Sequence, residues 1–242
     1  MTDEFDEVEV VRGPRVSNAS LTYETLRHEI LTMVLRPGEI LDEVSVSRRF
    51  GTSRSPIREA IVRLSGEGLV TVMPNRSTIV SNLDLAMLPA FLDALELTQR
   101  AVTRLAAIHR TSAELEKIRV FQAQFAQHQA AANLSEMLAA NYEYHMAIAA
   151  AGRNKYFTML YGRLLDEGKR LMHMNYSFEA LPAGEGKASV ADEHAEITAA
   201  IEARDADRAE RLGYEHAVLF RKRVLQHVMA SELSEITVQT MG

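Results

Sequence analysis

The chain has 242 residues, of which 47% are apolar, enough for one large or two ordinary packed domains, and its net charge is −6. It contains no cysteine, which excludes disulfide frameworks, thiolate zinc sites and cysteine nucleophiles and leaves nitrogen and oxygen as the only metal ligands. The acidic start MTDEFDEVEV is no signal sequence and no apolar run approaches a membrane span, so a cytoplasmic protein without a membrane partner is expected.

Residues 1–17 are acidic, then contain Arg, Gly and Pro without a sustained period, and read as a flexible arm in which Arg12 and Arg15 are solvated. Leu21, Leu26, Ile30, Leu31 and Val34 line a helix that Arg36-Pro37-Gly38 stops. From Glu43 the order is a short helix, a turn at Gly51, a second helix, and two β-rich runs, 69–73 and 77–81, joined by Pro74-Asn75-Arg76. That is the order of a winged helix-turn-helix, which places its second helix in a DNA major groove.

Ser53 or Ser55 can cap that second helix, Pro56 suits its first turn, and Gly66-Glu67-Gly68 ends it. Ile57, Ala60, Ile61 and Leu64 share one helical face, while Arg54, Ser55, Arg58, Glu59 and Val62 fall on the other. Between Arg48 and Arg76 there are six arginines (48, 49, 54, 58, 63, 76) against two acids, so the segment is basic inside an acidic chain. Arginine's planar fork pairs two-point with guanine or phosphate. Charge alone is equally compatible with a solvated arginine face; the complete element order favours DNA, with Arg48, Arg49, Ser53, Arg54, Ser55, Arg58, Asn75 and Arg76 as the candidate contacts.

After a short connection at 82–84, Ala, Leu and Met dominate and proline is absent between Pro89 and Pro182, a helical composition. Pro89 starts a helix that runs to about His109. Thr111 with Glu114 and Asn133 with Glu136 mark two further starts, and Gly152 and Asn154 break the chain before a fourth helix to about Tyr176. Residues 179–188 form a loop, and Ser189 and Asp205 cap the last two helices. The expected fold is mostly α: a winged helix-turn-helix over 18–82, an all-helical bundle of six helices over 83–230, to which the family resemblance given below adds the role of ligand-binding domain, and a tail over 231–242.

Asn141 and His145 lie four apart on one helical face, and His194 and His216 each sit in an apolar register, Val190-His194-Ile197-Ile201 and Leu212-His216-Leu219. Three helices thus direct a histidine inward. Two readings stay open, hydrogen-bonded core histidines or ligands to a transition metal such as zinc or nickel. Arg100 and Arg104, four apart, either clamp an effector carboxylate or line a solvated face, and His173 lies out of phase with the apolar residues around it.

The stretches LRHEILTMVLRPGEIL and GTSRSPIREAIVRLSGEGLV resemble the DNA-binding domain of the GntR family of bacterial transcription regulators. That resemblance implies operator contacts from Ser53, Arg54, Ser55 and Arg58, and a wing whose tip carries Asn75 where the family often has Gly. The helical region resembles the FCD domain of the FadR-type branch, in which an Asp-x-x-x-His pair and two later histidines hold a divalent metal; Asn141, His145, His194 and His216 fall at the matching places. Asn141 departs from the usual Asp and brings an oxygen without a charge. The resemblance further implies a homodimer, a palindromic operator and a small carboxylate effector bound beside the metal, with Arg100, Arg104 and His173 as candidate effector contacts.

Two other readings compete with this one. In one, the metal itself is the signal. In the other, the bundle is a metalloenzyme, but the paired Glu-x-x-His motifs of di-iron bundles are missing around the three histidines, and neither a Gly-rich phosphate loop nor a Ser-His-Asp order stands out.

Overall fold

The computed structural model describes residues 17–74, 77–82, 85–174 and 189–239, with side chains described up to residue 226. The chain divides into two compact units, Met1–Asn82 and Leu83–Gly242.

In the first unit, α1 (Asn18–Leu31) begins at Ser17, whose hydroxyl accepts from the Ser20 amide. Its buried stripe is Ala19, Tyr23, Leu26 and Ile30. Leu21 and Val34, expected on that stripe, are 55% and 66% exposed. The helix also ends before Arg36-Pro37-Gly38: Met33 takes a left-handed φ of 61° and the Leu35 amide closes onto the Glu29 carbonyl at 3.0 Å. This closing turn, rather than proline, turns the chain.

α2 (Glu43–Phe50) is capped by Asp42, whose carboxylate accepts from Ser45, and stops at Gly51, whose φ of 59° favours glycine. α3 (Arg54–Gly66) starts at Ser53, which occupies the N-cap without a side-chain cap bond. β1 (Val70–Val72) and β2 (Thr78–Val80) pair antiparallel, Val70 opposite Val80 and Val72 opposite Thr78. Residues 38–41 extend this ribbon on its other edge, with Ile40 bridging Ile79, an addition that the sequence reading did not include. Leu26, Ile30, Ile57, Leu64 and Val80 form the centre of one apolar core.

The second unit opens with a 3₁₀ turn (Leu85–Met87) and α4 (Leu88–His109), with Pro89 in its first turn. Five helices follow: α5 (Ser112–Ala130), α6 (Leu134–Ala151), α7 (Lys155–Met174), α8 (Val190–Glu202) and α9 (Ala206–Gln239). Thr111 with Glu114 and Ser189 with Asp192 form reciprocal capping boxes, Asn133 accepts from the Glu136 amide, and Asp205 accepts from Arg208. The segment from 231, expected as a tail, is instead helical to Gln239 as the end of α9. The loop expected at 179–188 lies outside the described residues.

α4 and α9 run antiparallel and close together. A Cβ on Gly213 would stand 3.0 Å from the Thr103 hydroxyl and 3.4 Å from the Gln99 carbonyl. The same contact line carries Arg100 to Glu210 (2.9 Å), Arg104 to Asp207 (2.5 Å) and Arg221 to Asp93 (2.6 Å). Tyr144, Ile148, Tyr161, Ile197 and Ile201 are fully buried at the centre of this bundle.

Candidate metal centre and nucleic-acid interface

His145 on α6, His194 on α8 and His216 on α9 converge in the bundle interior. Each offers one ring nitrogen, and these atoms lie within 4.8 Å of one another. The ring centroids are 5.2 Å apart for His145 and His194, 5.3 Å for His145 and His216, and 5.0 Å for His194 and His216. His145 is 3% exposed and His194 0%.

Each ring is oriented by different neighbours. Phe125 packs against His194 at 4.6 Å and Tyr144 stacks on it at 4.2 Å, so its faces are covered by aromatic rings. The Tyr144 hydroxyl donates to the His194 carbonyl at 2.9 Å, which holds that turn of α8 in place. His145 Nδ1 lies 3.2 Å from the Tyr161 hydroxyl, and His216 Nδ1 lies 2.7 Å from Glu193 Oε2. Arg223 holds the other Glu193 oxygen at 2.7 Å. Glu193, a carboxylate, accepts from His216 Nδ1–H and so leaves the Nε2 lone pair of His216 for the centre, whereas the Tyr161 hydroxyl is able either to donate to His145 Nδ1 or to accept from it.

Both ring nitrogens of His194 are buried and have no hydrogen-bond partner among the described residues. A buried polar atom without a partner costs about 1–3 kcal/mol, and a cation that accepted the one lone pair of the neutral ring would remove part of that cost. Burial holds His145 and His194 well below the ordinary histidine pKa, with the nearby His216 adding to the shift. Both are therefore neutral near pH 7, the form that binds metal. The donor set fits a borderline cation of the zinc or nickel type.

Asn141 stands one helical turn before His145 on α6 and is half-buried. Arg100 and Arg104 do not stand free as clamps: Glu210 takes Arg100, and Asp207 and Glu210 take Arg104. These pairs fasten α4 to α9. His173 is half-buried on α7. Glu193, Arg223 and Tyr161 were missed in the sequence. Arg223 lies two turns beyond His216 on α9 and carried a usable signal, but the pairing of Glu193 with a histidine 23 residues away carried none.

In the first unit, α3 buries Ile57, Ala60, Ile61 and Leu64 and exposes Arg54, Ser55, Arg58, Glu59 and Val62. Ser53 and Arg48 are exposed beside this face. Arg58 pairs with Glu43 at 2.9 Å. Arg49 differs from the expectation: its fork is engaged two-point by Glu29, with Nη1 to Oε2 at 2.8 Å, and it braces α2 against α1 instead of standing ready for DNA. Arg63 lies over the Tyr23 ring at 3.6 Å, and the Tyr23 hydroxyl donates to Glu67. Burial and Glu67 push the Tyr23 pKa up to about 12. Asn75 and Arg76, the expected wing-tip contacts, lie outside the described residues.

Two family models match the chain. That of the bacterial regulatory proteins, gntR family, matches residues 18–80, and that of the FCD domain matches residues 91–218. The HTH-type transcriptional repressor RspR of Escherichia coli K12 is 39% identical over 64 residues, 26% of this chain and 28% of that protein, so the chain aligns with less than a third of this relative's length. The HTH-type transcriptional repressor GlaR of the same strain is 27% identical over 213 residues, covering 86% of this chain and 96% of GlaR. Among solved structures, E. coli McbR/YncC superposes with a TM-score of 0.73 at 19% identity, over 88% of this chain and 99% of that one. A GntR transcriptional regulator from Rhodococcus sp. RHA1 does so with 0.70 at 18% identity, over 86% and 97%. At such identities the two structures speak for the fold alone. Among the described residues no helix is long and apolar enough to cross a membrane.

Proposed function

The chain belongs to the GntR family of bacterial regulatory proteins, in the group that carries an FCD domain, and is a DNA-binding transcription regulator; from that premise we propose that its operator binding is controlled by a small carboxylate held beside a divalent metal in the helical unit. The observation that carries this reading is His194, buried among aromatic rings with both nitrogens unpartnered, its ring centroid 5.2 and 5.0 Å from those of His145 and His216.

On the DNA side, Arg54, Ser55 and Arg58 face outward along α3 and read base edges, while Arg48 and Ser53 contact phosphate and the wing residues Asn75 and Arg76 support them. The chain acts as a homodimer on a palindromic operator, one half-site per winged domain; the apolar stripe Tyr156, Met159 and Leu160 on α7, 73%, 63% and 45% exposed, supports a self-association face. The relatives RspR and GlaR are both transcriptional repressors, which favours repression as its mode.

On the effector side, His145, His194, His216 and the Asn141 amide hold the ion. Glu193 fixes the tautomer of His216, and Tyr161 orients the ring of His145. When bound, the metal supplies a Lewis-acidic cation that anchors a carboxylate oxygen. The neutral ligand set leaves that cation's charge uncompensated, which favours an anionic effector. The effector changes operator affinity only through a difference in its affinity for the two arrangements of the regulator.

A second reading, with the metal itself as the signal, draws on the closure of the site, where His194 is 0% exposed. One experiment separates the two. Metal content per chain is measured on protein purified without chelator, for the wild type and His194→Ala, and affinity for a duplex selected from a random pool is then titrated with zinc alone and with citrate at fixed zinc. About one ion per chain, lost in His194→Ala, together with a citrate response, supports carboxylate control. A response to zinc alone supports metal sensing, and no ion in the wild type rejects both.

A further inference from the structure

The exposed face of α3 carries one acid contact that packing does not require. Glu43, the first residue of α2, accepts from Nε of Arg58 at 2.9 Å, with side-chain exposures of 32% and 64%. An ion pair this exposed adds little to stability. α2 is already seated through Val46, and α3 through Ile57, Ala60, Ile61 and Leu64. Moreover, a carboxylate on a surface that meets phosphates opposes binding. As an acid in the first turn of α2, Glu43 also favours the helix N-terminus, but that does not require contact with Arg58, so the pairing itself calls for a role.

The geometry of the bond supplies that role. A guanidinium has five N–H donors, and Glu43 engages the inner one, Nε. Among the described residues Glu43 is the group with which Arg58 pairs, so the outer edge, Nη1 and Nη2, is left to solvent. That outer edge matches the O6 and N7 acceptors of guanine. Unheld, so long a side chain samples many rotamers; held by its inner nitrogen, it presents one edge. Arg49, by contrast, has its outer nitrogens engaged by Glu29, and Arg63 is laid over Tyr23.

We propose that Glu43 is a positioning residue for DNA reading: it grips Arg58 by Nε and fixes the outer guanidinium edge for two-point recognition of one guanine in each half-site. The inference rests on the reading above that Arg58 meets an operator base. It makes Glu43 a specificity determinant that touches no DNA.

The test uses the full chain and a duplex selected from a random pool by the wild type. Affinity is measured for that duplex, for versions with each G·C pair changed in turn to A·T, and for a scrambled duplex, with Arg58→Ala, Glu43→Ala, Glu43→Gln and the Glu43→Ala/Arg58→Ala double variant. Arg58→Ala is expected to lose discrimination at one G·C pair by roughly 10- to 100-fold. Glu43→Ala should lose about three- to tenfold at that same pair and bind the scrambled duplex more tightly, with no further loss of discrimination in the double variant. Glu43→Gln keeps an acceptor oxygen and should retain most of the discrimination. If Glu43→Ala tightens the selected duplex with discrimination intact, Glu43 competes with DNA for Arg58 and the proposal is overturned. Losses that simply add in the double variant overturn it as well. If Arg58→Ala changes nothing, the base-contact reading itself fails, an outcome distinct from failure of Glu43 alone.

Discussion

Glu193→Gln is the sharpest test of the metal centre, because it changes one atom of a side chain that does not itself ligate in the reading above. Glu193 receives His216 Nδ1 at 2.7 Å on one oxygen and Arg223 Nη2 at 2.7 Å on the other, and the side chain is 9% exposed. Both neighbours donate, and a carboxylate can accept from both; an amide can accept from only one. If the Gln oxygen turns to Arg223, its NH₂ faces His216 Nδ1, the proton moves to Nε2, and the ring loses the lone pair that pointed at the centre. If it turns to His216, Arg223 faces a donor across a buried contact. Loss of such an outer partner typically costs 10- to 100-fold in metal affinity, about 1.4–2.7 kcal/mol. Competition with a chelator at pH 7.5 reads the affinity, and circular dichroism of the metal-free protein checks that the bundle is intact. Zinc affinity within twofold of the wild type, in a background where His216→Ala abolishes binding, would refute the assignment of Glu193 as the group that orients His216.

Three further outcomes follow from the same contacts. Burial holds His145 and His194 neutral in the folded state, well below their usual value of 6.5, so the unfolded chain binds more protons below that pH. Chelator-treated protein should keep its full stability above about pH 6.5 and lose up to about 1.4 kcal/mol per ring for each pH unit below it; a thermal midpoint flat from pH 7.5 to 5 would contradict this. Arg49→Met leaves Glu29, 11% exposed, without its two-point partner. The expected cost is about 1–2 kcal/mol, read as roughly 5- to 30-fold faster amide exchange in α1 and α2 with α5 and α6 unaffected, and protection unchanged in α1 would remove the bracing role. Asn141→Asp adds a negative charge one turn from His145, so zinc should bind about tenfold more tightly and citrate more weakly at fixed zinc; no change in either places Asn141 outside the coordination shell.

The winged domain was legible because its signals are local. Ser53, Gly51 and Gly68 mark boundaries within a few residues, and the 3.6-residue period assigned Ile57, Ala60, Ile61 and Leu64 to the core. Where the reading slipped, a large apolar residue outweighed a small or amphipathic one. Leu21 and Val34 suggested a face for α1, yet the buried line runs through Ala19 and Tyr23, whose hydroxyl is satisfied by Glu67. In the bundle, the caps at Thr111, Asn133 and Ser189 located the helix starts. What surrounds each charged side chain was not legible. Arg104 meets Asp207, 103 residues away, and Glu193 meets His216 on the next helix, and nothing in either local sequence announces the partner. The inward phase of the three histidines could be read from periodicity; that they converge on one centre came only from the resemblance to the FCD domain, because it depends on how α6, α8 and α9 pack.

Charge explains why a site built on Asn141 suits an anion better than one built on a carboxylate. Three imidazoles and an amide bring no charge to a divalent cation. Glu193, the acid that meets His216, is shared with Arg223, whose guanidinium offsets it at 2.7 Å. An ion held there would therefore keep close to its full charge, in an interior where that charge is poorly screened. Water alone would have to compensate it, and the covered faces of His194 and its zero exposure leave little room for bulk water on that side. A ligand that brings its own negative charge meets both needs at once. The substitution that weakens the claim on metal thus strengthens the claim on carboxylate, and the two affinities should move in opposite directions whenever the charge at position 141 is changed.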